Sequence, residues 1–130
     1  MKQITEDYCS FEIAKLLKEK GFDIPVYQYY FPPSNDNLNY LEFDNDWNSI
    51  WEHSYSAPTH QMTLKWLREV HNIYIDILTY TTGKNIQFRW VGYDKGRLFS
   101  QEEGKTIYFD SYEQAVEAAL KDTLKKLDLI

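Results

Sequence analysis

At 130 residues the chain has the length of one ordinary domain, and its 43% hydrophobic and 17% aromatic content, with eleven Tyr and four Trp, excludes a disordered chain and leaves ample material for a core. The net charge of −6 is unevenly placed: residues 1–58 hold four Lys against ten Asp and Glu, whereas residues 59–130 hold ten of each sign. That sign excludes direct nucleic-acid binding and anionic membranes as partners, and a lone Cys9 excludes an internal disulfide.

The first predicted element is a helix over about 6–20. Thr5 is placed to cap it, Glu6 and Asp7 lie in its first turn, and Gly21 supplies a left-handed stop. Cys9, Ile13, Leu16, Leu17 and Lys20 share one face at helical spacing, so Cys9 reads as core; its neighbours Glu6, Asp7 and Glu12 are the wrong sign for a reactive thiolate. From Asp23 to Ser56 the chain becomes poor in bases and rich in Tyr, Trp, Asn and Asp. VYQYYF at 26–31 predicts a strand ended by Pro32 and Pro33, the turn-rich SNDN follows, and LNYLEF at 38–43 returns as a second strand. Trp47, Ile50 and Trp51 fall at i, i+3 and i+4, the spacing of a short helical turn capped by Asp44 or Asp46.

Pro58 suits the opening of a helix over 59–71, with Met62, Trp66 and Val70 along its buried line and Thr63 and Leu67 beside it. Alternating stretches follow at 73–80 and 86–93, joined through Thr81–Lys84. Ile73, Ile75 and Ile77 point to one side, as do Ile86, Phe88 and Trp90. Placing Tyr80 opposite Asn85 across a four-residue loop matches Ile77 with Phe88, Ile75 with Trp90 and Asp76 with Arg89. After Asp94-Lys95-Gly96, RLFS and KTIYF offer one or two further short strands. The last helix covers 111–127, with Ser111 and Gln114 as a capping box and Val116, Leu120, Thr123, Leu124 and Leu127 on one face. The expected fold is therefore α+β: one domain, 1–130, in which an antiparallel sheet packs against three helices. Helix, strands and helix also follow one another in this order in double-stranded RNA-binding domains, but the final helix opens Tyr112-Glu113-Gln114 where those domains need bases.

Candidate chemistry is sparse. His60 and His71 lie eleven residues apart on one helix, about 16 Å at roughly 1.5 Å per residue, and cannot share a metal. No His or Cys ligand spacing is present around His53, and Asp44-Asn45-Asp46 lacks the glycine and terminal Glu of a calcium loop, so neither a metal nor a cofactor is expected. There is no nucleophile elbow and no Gly-rich phosphate loop. The best candidate is a binding surface of acid-flanked aromatics within the set Tyr27, Tyr29, Tyr30, Phe31, Tyr40, Trp47, Trp51 and Tyr55, narrowed to Tyr29, Tyr30, Tyr40, Asp44, Asp46, Trp47, Trp51 and Tyr55, a composition suited to a basic or apolar peptide or a cationic ligand.

Two segments, YSAPTHQMTLKWLREVHNIYI at 55–75 and FDSYEQAVEAALKDTLKKL at 109–127, resemble a group of small uncharacterised proteins from prophage and other mobile-element regions of Bacteroides-type gut bacteria. The resemblance covers about a third of the chain; it implies a bacterial or phage cytoplasmic setting and no mechanism. A cytoplasmic location also follows from the absence of a signal region and of any apolar run near about 18 residues. The expected function is that of a non-enzymatic accessory protein that binds another protein, with self-association into a homodimer as a second mode. The alternatives are a small-ligand or hydrolytic site built from the 40–55 loop and a histidine, and an acidic nucleic-acid mimic that occupies a DNA-binding protein.

Overall fold

In the computed structural model, which describes residues 3–31, 34–100 and 107–127 with the side chains of 34–38, 40–43 and 100 set aside, the first helix starts later than its spacing predicts. Residues 7–9 are engaged elsewhere: the Cys9 N–H donates to the Pro58 carbonyl (2.9 Å), the His60 N–H donates to the Asp7 carbonyl (2.9 Å), and Tyr8 bridges Thr59. Backbone groups committed to an extended pairing cannot also serve a helix. The helix α1 is therefore Phe11–Glu19, with Ser10 rather than Thr5 as N-cap; its hydroxyl accepts from the Ile13 N–H (3.3 Å). Cys9 is nonetheless fully buried, as are Ile13 and Leu17.

The chain divides into two compact units, residues 1–60 and 61–130. In the first, β1 (Val26–Phe31) lies at the centre of an antiparallel sheet, with β2 (Ser34–Asn45) on one side and β3 (Tyr55–Ser56) on the other. β2 begins at Ser34, directly paired with Phe31, so the SNDN stretch expected as a turn is strand instead. Two register shifts, between Val26 and Gln28 and between Tyr29 and Phe31, accommodate the extra residues of β2. Ala14, Tyr30 and Ala57 form a buried cluster edged by Phe11 and Tyr55, and Phe11 meets both tyrosines edge-to-face, at 5.6 Å and 5.3 Å between centroids.

The second unit runs α3 (from His60, the last residue of the first unit, to His71), β4 (Ile73–Thr82), β5 (Asn85–Asp94), β6 (Arg97–Ser100) and α4 (Tyr112–Lys126), with strand order β4-β5-β6. The mixed, antiparallel character is as expected, but there are two three-stranded sheets where one was expected, and α2 (Trp47–Ile50) adds a fourth helix among the described residues. α4 packs on β5 and β4 and buries Val116, Leu120, Thr123 and Leu124, and Ser111 caps it by accepting from the Gln114 N–H (3.1 Å). KTIYF contributes Phe109, which exchanges backbone hydrogen bonds with Phe88; Lys105 and Thr106 lie outside the described residues.

Two local expectations change. The hairpin register is displaced by two residues: Thr82 faces Asn85, Ile77 faces Trp90, and Leu78, not Asp76, faces Arg89. Gly83, at φ 59°, lets a two-residue turn close the hairpin, so Thr81 and Thr82 extend the strand. An even displacement preserves the faces, and Asp76 and Arg89 stay on one side as diagonal neighbours. The buried face of α3 is also turned from the predicted line. Thr63, Leu64, Trp66 and Leu67 are buried, whereas Met62 and Val70 are exposed. Asn72 then stops the helix in the left-handed region at φ 55°.

Candidate functional site

Strand alternation puts Tyr29 and Phe31 of β1 on one face and sends Tyr30 to the other, where its hydroxyl donates to the Cys9 carbonyl (2.7 Å). Tyr30 is therefore core, not surface. Trp47 is core as well, only 1% exposed, with its indole N–H donating to the Val26 carbonyl (2.7 Å). Tyr29 stacks on the Trp47 ring at 4.2 Å and 25°, so a buried indole becomes the floor on which the exposed aromatics rest. Trp51 sits 5.8 Å from Trp47 and 6.2 Å from Tyr29, and Phe31 meets Trp51 edge-to-face at 5.8 Å and 80°. Trp51 and Phe31 remain 45% and 44% exposed. Together with Glu52 and His53, Tyr29, Phe31 and Trp51 line an open cleft of about 430 Å³.

The rim is irregular chain held by polar contacts. A four-residue helix has no stability of its own, and α2 is fixed by its neighbours. The Asn48 side chain donates to the Phe22 carbonyl (2.9 Å) and accepts from the Ser56 N–H (2.9 Å), and the Ser54 hydroxyl donates to the Trp47 carbonyl. Lys18, arriving from α1, donates to the carbonyls of Trp51 (3.0 Å), Glu52 (2.7 Å) and Ser54 (2.8 Å), and its ammonium lies 4.8 Å from the Tyr55 ring centre. Burial pushes Lys18 below its ordinary value, while the charges of Glu52 and Asp46 act in the opposite direction. Asp46 precedes α2 but makes no side-chain cap, and its Oδ1 is buried with no hydrogen-bond partner among the described residues.

No protein-family model, curated protein or solved structure matches this chain. The site is accordingly read from its geometry. Of the residues predicted from sequence, Tyr29, Trp47 and Trp51 come together, Tyr55 lies apart in the Phe11–Tyr30 cluster, Asp44 is exposed, and the Tyr40 side chain lies outside the described residues. Phe31 belongs to the wider aromatic set of the sequence but not to the narrowed one, and Glu52 and His53, weighed there for acid–base or metal chemistry, stand in the cleft as rim residues. Phe31 stands two positions from Tyr29 on the same strand face; Glu52 and His53 line the cleft from the segment whose Trp51, Glu52 and Ser54 carbonyls Lys18 holds, a long-range contact that no local pattern announces.

Proposed function

We propose that this protein acts by binding another protein, and that the partner docks on the cleft of Tyr29, Phe31 and Trp51. The observation that carries this reading is the pair Phe31–Trp51, two large rings left in water side by side on a fixed floor, since rigid, half-exposed aromatics beside a polar rim are the usual anchors of a protein interface. Glu52 and His53 on the rim, 4.0 Å apart, are 89% and 71% exposed; general acid–base chemistry needs a more enclosed pair, so the cleft favours binding over hydrolysis. Among the described residues no helix is long and apolar enough to cross a membrane, and the setting that accompanies this reading is the bacterial cytoplasm.

The test is co-purification with the immobilised protein, comparing the natural chain with a Phe31→Ala/Trp51→Ala variant whose fold is checked by circular dichroism. A stoichiometric protein retained by the first and lost with the second is the expected result. Equal retention by a folded variant would place the partner elsewhere and sink the proposal. If the partner retained is a DNA-processing enzyme that duplex DNA displaces, nucleic-acid mimicry is the mode; a second copy of the chain makes it a homodimer.

A further inference from the structure

We infer that the cleft takes an arginine side chain, so that the partner is a protein presenting an exposed arginine beside apolar residues. The inference rests on the reading of the cleft as a protein-binding site and specifies the chemistry that fills it. Its lining joins three aromatic rings to one carboxylate, Glu52. Aromatic faces attract cations through the ring quadrupole, most strongly for Trp, and the guanidinium, flat and weakly hydrated, loses less than an ammonium on leaving water to stack. A carboxylate at the edge of such a stack can accept two of its N–H groups in parallel. Among the described residues the Glu52 carboxylate keeps its hydrogen-bonding capacity open: the hydrogens of Lys18 Nζ go to the carbonyls of Trp51, Glu52 and Ser54, and His53 stands at 4.0 Å, too far for a strong hydrogen bond.

Charge complementarity favours the same occupant. The first unit, residues 1–60, carries all of the chain's net charge, with four Lys against ten acids, and the second is balanced. A basic partner is drawn to that unit before contact, and an acidic one is repelled. The remaining apolar wall, Phe31 with the ring of Tyr29, fits aliphatic residues that flank the arginine and accounts for a cleft larger than one guanidinium needs.

The experiment follows the indole N–H resonance of Trp51, assigned by its loss in Trp51→Phe, during titration of the full chain with acetyl-Leu-Arg-Leu-amide. The peptide should shift that resonance saturably. Its counterpart with citrulline, the neutral isostere of arginine, should bind about fivefold more weakly, and Glu52→Gln should reduce the arginine peptide to the level of the citrulline one. Equal binding of the arginine and citrulline peptides would overturn the inference, as would tighter binding of the lysine counterpart. Free acetyl-arginine-amide binding as tightly as the tripeptide would overturn the choice of a protein as its source. None of these outcomes touches the cleft as a docking site, which stands or falls on the Phe31→Ala/Trp51→Ala comparison.

Discussion

Lys18 decides the shape of the cleft without lining it. One ammonium gathers three carbonyls of the segment after α2, a task for a tetrahedral donor that a planar guanidinium performs poorly. Lys18→Met should therefore cost about 1 kcal/mol, since two of the three bonds are exposed and water can replace them. Its larger effect is local: the Ser54 N–H, which donates to the Trp51 carbonyl at 3.4 Å, should exchange with solvent much faster while α4 amides are unchanged, and Lys18→Arg should not restore it. Hydrogen exchange followed by NMR checks both. Residue roles of this kind are only partly legible in the sequence. The aromatic richness of 27–55 points to the stretch where Tyr29, Trp47 and Trp51 come together, but Tyr29 and Tyr30 are indistinguishable in composition and differ in placement because successive strand residues face opposite ways. Lys18, thirty-three residues from Trp51, reads as solvated helix surface, since no local pattern announces a contact so far along the chain.

At the scale of elements, sequence periodicity recovers what depends on local spacing and misses what depends on partners. The faces of β4 and β5 are readable because alternation is intrinsic to a strand, and so is α4 with its capping box. The register is not, because both a two-residue and a four-residue turn keep the isoleucines on one side; the left-handed Gly83 chooses the tighter turn. α1 is expected too far back because the pairing of residues 7–9 with 58–60 is long-range. The β5–β6 pair offers a sharp test of the ladder itself. Gly92 lies opposite Phe99, and a Cβ at Gly92 would come within 2.8 Å of the Phe99 ring. The ring covers the backbone that the glycine leaves bare. Gly92→Ala should destabilise the protein by about 1–3 kcal/mol, and by markedly less when Phe99→Ala is already present. Chemical denaturation of the four members of that cycle measures the coupling; additive costs would mean that the ring simply swings aside.

For the whole molecule the decisive property is the division of charge between the two units. Six net negative charges on the first and none on the second can be counted from the residues alone, but the count acquires meaning only because the unit boundary at His60 falls where the composition changes. Binding at the acidic unit should weaken severalfold as salt rises from about 0.05 M to about 0.5 M, mainly through slower association, because mobile ions screen exposed charges beyond about 10 Å at 0.1 M. Surface-plasmon measurements on the captured partner would show it; affinity that rises with salt would mean that apolar contact alone holds the complex. The burial pattern of the tryptophans has one more consequence, optical in kind. Trp47, Trp66 and Trp90 are 1%, 4% and 1% exposed, and Trp51 alone is open to water. The chain thus carries its own lamp at the mouth of the cleft: of four indoles, the one that a dissolved quencher can reach is the one that a bound partner would cover.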